Sequence, residues 1–254
     1  MHILITGAAG RIGREIVEEL FHSHDLCLID RFPVPGYESI ITDLSQYEGK
    51  TKFYSSQEIV PKLWTDVFRK AEIVIHLAEE PNPNASWERV FHNNIMATWN
   101  VFQACAQHHV RRVIYASSNW VVKALELELA PACYEPEGPK IGSGANPRPV
   151  NPYGIGKAFG EMIGRILVDE ERISSFVALR IGSFTPYPPD NGDYRRRAIS
   201  GLDLRNLFRR CVEAEFEGFH IIYGVSAQKI SPYDLSYTTR LLSWEPEQFL
   251  STEA

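Results

Sequence analysis

Two residues with acid–base chemistry, Tyr153 and Lys157, stand four positions apart in a segment with a helical pattern. On a helix this spacing is about one turn, so both side chains leave from the same face. A free tyrosine has a pKa of about 10 and is a poor base at neutral pH, but a neighbouring ammonium favours the phenolate. Ser118, at the end of a predicted strand, offers a hydroxyl that could hold the oxygen on which the tyrosine acts. Alone, such a pair is typical of a solvated helix surface, and Ser117-Ser118 is typical of a turn.

The elements that must position these residues begin with a glycine-rich loop near the start of the chain. Five β-favouring residues, His2 to Thr6, lead into Gly7-Ala-Ala-Gly10-Arg-Ile-Gly13, and a helical pattern follows from Arg14 to Phe21. Glycines let the backbone bend sharply and approach a ligand, and a new helix offers unpaired N–H groups and a positive dipole end. The loop therefore suits a pyrophosphate, although three glycines can also serve only to close a tight turn.

The next predicted strand supports a dinucleotide site, because it spans Asp25 to Asp30 and ends in an acid. A carboxylate there accepts hydrogen bonds from the adenosine ribose and repels a 2′-phosphate, which predicts NAD rather than NADP. The neighbouring Arg31 weakens this preference. After a short strand over Ser39–Asp43, Asp43-Leu44 is predicted either to hold the adenine ring or to be an ordinary helix N-cap, and both interpretations stay open.

Strand and helix patterns alternate along the rest of the chain. Further strands are predicted over 72–78, 112–117, 175–181 and 219–223, helices over 57–70, 86–108, 152–172, 203–215 and 233–243, and a loop over 130–151. This order predicts an α/β fold with a parallel sheet, whose ligands bind outside the carboxyl ends of the strands. The residues predicted to meet in that crevice are Gly7, Asp30, Asp43, Ala78, Ser118 and Ser183.

Composition narrows the classes of function. The 254 residues are 44% hydrophobic and 23% charged, enough for one large α/β domain with a full core. The net charge of −6 gives no reason to expect a nucleic acid or an anionic membrane as partner. No apolar run approaches the roughly 20 residues of a membrane span, and the first strand begins too early for a signal peptide, so the cytoplasm is expected. The four cysteines stand far apart without zinc spacing, so no metal is predicted.

Together these motifs resemble those of the extended short-chain dehydrogenase/reductase superfamily. The matching stretches cover nearly the whole chain and are Thr6-Gly7-Ala-Ala-Gly10-Arg-Ile-Gly13, Asp30, Asp43-Leu44, His76-Leu-Ala78, Asn94, Ala116-Ser-Ser118, Tyr153-x-x-x-Lys157 and Arg240-Leu-Leu-Ser-Trp-Glu-Pro246. Within the superfamily the chain looks most like the NAD-dependent hexuronate and glucose-6-phosphate dehydrogenases. The stretches that carry this finer resemblance include Ala116-Ser-Ser-Asn119, Pro147-Arg-Pro149, Leu179-Arg-Ile-Gly-Ser183 and Tyr194-Arg195.

The resemblance implies a Rossmann-type doubly wound parallel sheet with helices on both faces. Residues 1–182 would form the NAD-binding core and 183–254 mostly a small substrate-binding region of the same domain. The helices over 86–108 and 152–172 would pair across a two-fold axis to make a homodimer. The cofactor-binding residues that it implies are Gly7, Gly10, Arg11, Ile12, Gly13, Asp30, Asp43, Leu44, Leu77, Ala78, Asn94, Tyr153, Lys157 and Ile181.

The catalytic roles are also implied by the resemblance. Tyr153 would be the base, Lys157 would tune it and hold the nicotinamide ribose, and Ser118 would position the C1 hydroxyl of a sugar. The implied substrate contacts are Ser118, Asn119, Ser183 and Arg195. The arginine would pair with a carboxylate or phosphate through its forked N–H groups, and which of Arg195, Arg196 and Arg197 faces the site is left open.

The sequence departs from the family pattern at the expected site. Trp120 stands where the uronate enzymes carry a histidine, and Gly156 replaces a serine that often precedes the lysine, a change expected to be harmless. Glu79 stands where a small residue usually follows His-Leu-Ala, close to the expected nicotinamide ribose, and Glu80 adds a second negative charge.

The predicted function is hydride transfer from C1 of a sugar to NAD, producing a lactone. One alternative is a nucleotide-sugar epimerase or dehydratase on the same fold. The short chain beyond Ile181 disfavours it, because that lobe would have to enclose a nucleotide. The other alternative is a non-catalytic NAD-binding sensor.

Overall fold

The computed structural model describes residues 1–46, 52–54, 64–185, 192–226 and 230–247, with the backbone alone for 52–54 and 192–193. Its strands are β1 (His2–Thr6), β2 (Asp25–Asp30), β3 (Ser39–Ile41), β4 (Lys52–Tyr54), β5 (Ile73–His76), β6 (Arg112–Ser118), β7 (Ser175–Ile181) and β8 (Gly218–Gly224). Its α-helices are α1 (Arg11–Leu20), α2 (Trp87–Val90), α3 (Ala97–Gln107), α4 (Lys123–Leu129), α5 (Pro152–Asp169), α6 (Gly192–Arg195), α7 (Gly201–Glu213) and α8 (Ser236–Leu242). A π-helical turn, Phe91–Met96, joins α2 to α3. Short 3₁₀ helices cover Trp64–Lys70, Asn119–Val122 and Ala132–Tyr134.

All described strands lie in one sheet, in the order β4-β3-β2-β1-β5-β6-β7-β8. Neighbouring strands are parallel except β3 and β4, which are antiparallel. The chain winds outward from β1 in one direction through β2 and β3, and in the other from β5 to β8. The strand order therefore reverses between β1 and β5, where doubly wound sheets bind their ligands. The predicted α/β class is confirmed.

Alternating side chains of the central strands supply a hydrophobic core to each face of the sheet. Ile3 and Ile5 of β1 face the layer that contains α1 and α7, where Phe208 is fully buried. Leu4 faces the opposite layer, which contains α3 and α5, with Phe102 at its centre. Because helices cover both faces of the sheet, the central parallel strands are largely apolar along their length and do not alternate between apolar and polar side chains.

Helix α5, which carries Tyr153 and Lys157, starts at a well-defined cap. The side chain of Asn151 accepts a hydrogen bond of 2.8 Å from the backbone N–H of Gly154, and Pro152 follows in the first turn, where no N–H is needed. Further along, a Cβ at Gly160 would stand 2.3 Å from the Tyr115 ring of β6. The absence of that side chain lets α5 lie directly on the sheet, with its first turn at the carboxyl ends of the strands.

The observed elements agree with most predicted ones and differ at a few. The predicted helix over 57–70 is described only from residue 64, where it is a 3₁₀ helix, and its earlier part lies outside the described residues. The predicted helix over 86–108 is interrupted by the π-helical turn. Helix α4 had no counterpart in the prediction, and the predicted loop over 130–151 includes a short 3₁₀ turn. Strand β8 extends the parallel sheet beyond residue 182. Among the described helices, none is long and apolar enough to cross a membrane.

Candidate active site

The glycine-rich loop lies at the carboxyl end of β1, beside the segment that follows β5. Gly7 has a φ of +73°, which favours glycine, and a Cβ there would stand 2.6 Å from the backbone nitrogen of Ala78. A Cβ at Gly13 would stand 2.2 Å from the carbonyl oxygen of Gly7. Gly10 is the N-cap of α1 and has no side chain to cover the first N–H groups of the helix. This cradle fits the pyrophosphate of a dinucleotide, because side chains would fill the space that it leaves.

A cleft of about 530 Å³ opens above this loop. Of the predicted cofactor residues, its lining includes Gly7, Gly10, Asp30, Leu44, Leu77 and Ala78. The Asp30 carboxylate accepts hydrogen bonds from the backbone N–H groups of Ala9, at 2.9 Å, and Phe32, at 3.0 Å. Each carboxylate oxygen retains a lone pair. The residue that is predicted to bind ribose is thus held in place by backbone N–H groups that follow the neighbouring strands β1 and β2.

The carboxylate of Asp43 accepts hydrogen bonds from Ser45, two residues further along the chain, and from Arg31. Its Oδ1 accepts hydrogen bonds from the N–H and hydroxyl of Ser45, at 3.0 and 2.8 Å, and from the Arg31 guanidinium at 3.0 Å. Partial burial opposes ionisation, but the bonds from Ser45 and the charge of Arg31 hold the pKa of Asp43 below its ordinary value. Arg31 also donates to the side chain of Asn93. The positive charge next to Asp30, which weakens the predicted preference for NAD, is therefore paired with a carboxylate.

A second cleft, of about 390 Å³, continues from the first towards β6 and β7. Gly7, Gly10 and Leu77 line both clefts, so that the two meet at the glycine loop. The other predicted site residues in its lining are Arg11, Ile12, Gly13, Ser118, Asn119, Tyr153, Lys157, Ile181 and Ser183. The fold therefore brings the predicted catalytic residues into one space beside the dinucleotide cradle.

Ser118 and Asn119 form a connected hydrogen-bond system at the end of β6. The Ser118 hydroxyl accepts a bond from the N–H of Trp120 and donates one to Oδ1 of Asn119, both at 3.3 Å. The amide of Asn119 donates to the hydroxyl of Tyr233 at 2.9 Å, and that hydroxyl donates to Glu126 at 2.7 Å. The orientation of the Asn119 amide is thereby set from outside the cleft.

Tyr153 and Lys157 are both buried, with 8% and 5% of their surface exposed. The Lys157 ammonium lies 5.7 Å from the centre of the Tyr153 ring and donates a 2.5 Å hydrogen bond to the carbonyl of Ala116. It also forms an ion pair with the carboxylate of Glu79. Burial raises the pKa of Glu79, and Glu79 raises the pKa of Lys157 although burial works against that charge.

A chain of buried hydrogen bonds extends from Glu79 back to β1. The carboxylate accepts a bond of 2.8 Å from the Thr98 hydroxyl, whose oxygen is 3.0 Å from Nε2 of His76. Because the Thr98 proton points to Glu79, Nε2 is the donor to Thr98, and Nδ1 accepts from the Thr6 hydroxyl at 2.7 Å. Burial and the nearby charge of Lys157 lower the pKa of His76 to about 3, so the ring is neutral. In the sequence, His76 stands out only as part of a family motif, because the Thr6 and Thr98 partners are far from it in the chain.

Asn94, a predicted cofactor-binding residue, is fully buried beneath the segment that carries Glu79 and Glu80. Its Oδ1 accepts from the N–H of Glu80 at 3.0 Å, and its Nδ2 donates to the carbonyl of the same residue at 3.3 Å. A Cβ at Gly156, the glycine that replaces the usual serine and was expected to be harmless, would stand 2.9 Å from Cβ of Asn94. The π-helical turn and α5 are thus in close contact at the level of the catalytic pair.

The three consecutive arginines have different surroundings. Arg197 donates to the buried carboxylate of Glu126 at 2.6 Å, and the Arg196 guanidinium lies 4.6 Å from the centre of the Tyr134 ring. Arg195 is half-buried, and within the described part of the chain the lining of the second cleft includes its neighbour Tyr194 but not Arg195. No cluster of potential metal ligands is found among the described residues.

The fold and the site define a dinucleotide-dependent enzyme with a tyrosine and lysine on one helix turn. A family model described as the NAD dependent epimerase/dehydratase family matches residues 3–205. The chain belongs to this family. It is thus an NAD-dependent enzyme of the extended short-chain dehydrogenase/reductase type. Both this class and the cofactor, NAD, are as predicted.

Individual relatives are similar over almost their whole length. An NAD-dependent glucose-6-phosphate dehydrogenase of Haloferax volcanii is 33% identical over 249 residues, which cover 96% of this chain and 92% of the relative. An L-arabinose 1-dehydrogenase (NAD(P)(+)) of the same organism is also 33% identical, over 98% of both chains. A crystal structure of a variant uronate dehydrogenase from Agrobacterium tumefaciens, complexed with NAD, superimposes with a TM-score of 0.75 and 25% identity, over 98% of this chain and 85% of that one.

Proposed function

We propose that this enzyme oxidises C1 of a sugar, a hexuronate or a sugar phosphate, to a lactone with NAD as hydride acceptor. The observation that carries the proposal is the single cleft that holds Ser118, Tyr153 and Lys157 beside the dinucleotide cradle. The named activities of the similar proteins, dehydrogenation of glucose 6-phosphate, L-arabinose and uronate, support it, because all of them are dehydrogenases of sugars or sugar acids.

In this mechanism the phenolate oxygen of Tyr153 takes the proton of the C1 hydroxyl while the hydride leaves C1. The Ser118 hydroxyl, at the end of β6, holds the reacting oxygen in line with the tyrosine. Lys157 fixes the geometry of the pair through its bond to the Ala116 carbonyl. Only a small part of either side chain, 8% of Tyr153 and 5% of Lys157, is exposed to the cleft. NAD, when bound in the cradle, supplies the acceptor for the hydride.

The remaining lining suggests how the sugar is held. Asn119 and Ser183 are proposed to accept and donate hydrogen bonds to its hydroxyl groups, and the Trp120 ring offers a surface on which a sugar ring can stack. Arg195 is proposed to pair with a carboxylate or phosphate. This last role requires Arg195 to turn towards the cleft that Tyr194 now lines.

For the cofactor, we propose that Asp30 binds the adenosine ribose and selects NAD over NADP. The pairing of Arg31 with Asp43 supports this preference, since the arginine charge is then partly engaged. Leu44 is proposed to contact the adenine, and Asn94 to act by holding the backbone beside the nicotinamide ribose rather than by direct contact. We propose the cytoplasm as the compartment in which this enzyme acts.

We also propose a homodimer through α3 and α5. Large apolar side chains are exposed along the neighbouring helices α2, α3 and α5, among them Trp87 (52% exposed), Trp99 (42%), Met162 (55%) and Ile166 (46%). A surface of this kind is stabilised by burial against a second copy. Light scattering of the purified protein tests the proposal, and a monomer at micromolar concentration contradicts it.

The test of the activity is absorbance at the NADH band with separate panels of hexuronates, hexose phosphates and neutral sugars. We expect a rise with one panel and none for Tyr153→Phe, which should still bind NAD in calorimetry. Undiminished activity of Tyr153→Phe contradicts the role of the tyrosine. If no panel reacts although NAD binds, the sugar dehydrogenase proposal fails, and conversion of nucleotide sugars then tests the epimerase alternative.

A further inference from the structure

Glu79 is a buried acid in contact with the catalytic helix. Its side chain is 2% exposed, and its carboxylate contacts the Lys157 ammonium, the Tyr115 hydroxyl at 2.7 Å and the Thr98 hydroxyl at 2.8 Å. These three groups come from α5, β6 and α3, so the carboxylate joins three elements at one point. A buried carboxylate is costly unless it is paired, and here every partner is a donor.

The contact with Glu79 changes what Lys157 can contribute to the site. The ammonium donates a hydrogen bond to the Ala116 carbonyl and is in ion-pair contact with the carboxylate of Glu79. Whichever of Glu79 and Lys157 holds the shared proton, the pair has no net charge. The ammonium lies 5.7 Å from the centre of the Tyr153 ring. There it acts as the positive end of a dipole with Glu79 rather than as an isolated positive charge.

Other charged groups around Tyr153 are themselves paired or lie towards the open cleft. Glu161, one turn of α5 beyond Lys157, forms an ion pair of 2.8 Å with Arg180 of β7. His76 of β5 is neutral. Arg11 of α1 lies in the lining of the open cleft on the side of the dinucleotide cradle.

Two other tyrosines, Tyr115 and Tyr194, and one other acid, Glu80, lie near the catalytic pair. Tyr115 of β6 donates to Glu79, and Tyr194 lies in the lining of the open cleft. Glu80 forms an ion pair with Arg89 of α2. Glu79 is thus the acid that contacts the catalytic lysine directly.

We propose that Glu79 is a positioning residue of this active site, which fixes Lys157 in place and cancels its charge, so that the lysine orients Tyr153 without providing a net positive field. The proposal rests on the proposed function in which Tyr153 is the base.

The variant that tests this is Glu79→Gln, which keeps the size of the side chain and an oxygen to accept from Tyr115 and Thr98. It leaves the charge of Lys157, 5.7 Å from the centre of the Tyr153 ring, unbalanced, so the ionisation of Tyr153 is expected to move to lower pH by roughly one unit or more. Glu79→Ala is the second variant, since a small residue is usual here in the family, and the same shift is expected. Glu80→Gln is the matched control, because it makes the same change one position along the chain.

Two measurements report the shift. The first is the tyrosinate absorbance of each protein as a function of pH, from which the curve of the same protein carrying Tyr153→Phe is subtracted. The second is the pH dependence of turnover with the sugar that reacts. The first needs no substrate, so failure to find a reacting sugar counts against the proposed function and leaves this test intact.

The proposal predicts an acid shift in Glu79→Gln or Glu79→Ala and none in Glu80→Gln. It is overturned if folded Glu79 variants titrate as the unaltered protein does, or if Glu80→Gln shifts the titration equally. Thermal unfolding of each variant identifies a loss of fold, and only variants that stay folded over the whole pH range of the titration are compared, because unfolding itself exposes Tyr153 and changes its ionisation.

Discussion

The neutral imidazole of His76 makes the stability of this protein depend on pH in a way that can be calculated. The ring lies between the Thr6 and Thr98 hydroxyls, stacked against Tyr115 with ring centres 5.9 Å apart. Burial, together with the charge of Lys157, lowers its pKa to about 3 from an ordinary value near 6.5. In the unfolded chain the same ring ionises at its ordinary value.

The direction of this pH dependence follows from whether the folded or the unfolded protein binds the proton. Below pH 6.5, His76 binds a proton in the unfolded chain, whereas in the folded protein it binds one only near pH 3. Lowering the pH therefore favours unfolding. The contribution of His76 to stability is fully present above pH 6.5 and falls by about 1.4 kcal/mol per pH unit below it. Between pH 8 and pH 5 this amounts to about 2 kcal/mol, a large part of the roughly 5–15 kcal/mol that stabilises an ordinary domain.

The assay is urea unfolding followed by tryptophan fluorescence at several pH values between 8 and 5, for the unaltered protein and for His76→Gln. Carboxylates titrate in both proteins, so the difference between their slopes isolates the imidazole. The glutamine removes aromatic packing and lowers stability at every pH, but the loss between pH 8 and 5 should be about 2 kcal/mol smaller than in the unaltered protein. His22→Gln, at an exposed position, is the control and should keep the steeper slope.

Parallel pH dependence of the unaltered protein and His76→Gln would refute this reasoning. It would mean that the folded protein accepts a proton on His76 at ordinary pH, and hence that the hydrogen bonds to Thr6 and Thr98 are not those of a neutral ring.

Two other predictions concern buried and cofactor-facing acids. Glu161→Gln removes the partner of the buried Arg180, which it contacts at 2.8 and 2.9 Å, and should lower the free energy of unfolding by about 3–5 kcal/mol in urea titrations; a loss below about 1 kcal/mol would contradict the importance of the pair. Asp30→Ser removes the carboxylate predicted to bind ribose. Calorimetry should show NAD binding weakened about tenfold or more and the preference for NAD over NADP reduced. An unchanged ratio of the two affinities would show that Asp30 does not determine the choice of cofactor.

Local sequence was sufficient for the parts of the site that one element supplies. The glycines at positions 7, 10 and 13 and the acid at the end of β2 predict the cradle, because the spacing of a strand, turn and helix is local. Tyr153 and Lys157 share a turn of one helix for the same reason. Which strand ends meet could be predicted from the alternation of strands and helices.

Contacts between distant elements could not be predicted in the same way. The ion pair of Glu79 with Lys157 depends on how α5 lies over β5 and β6, and the sequence only marked Glu79 as unusual. The pairing of Arg197 with Glu126 joins residues far apart in the chain and distinguishes among three arginines that look alike in sequence. The π-helical turn near Asn94 also reflects packing against α5 rather than a local signal.

The glycines of α5 have a consequence for how this protein folds. Gly156, Gly160 and Gly164 recur every fourth residue, and the latter two lie against the rings of Tyr115 and Phe176. Each glycine weakens an isolated helix by about 1 kcal/mol relative to alanine, so this segment has little tendency to be helical by itself. Its helicity depends on docking to the sheet. The tyrosine and lysine therefore come into register only when the two layers have assembled, and the recovery of enzyme activity after dilution from denaturant should follow tertiary assembly rather than the earlier gain of helical signal.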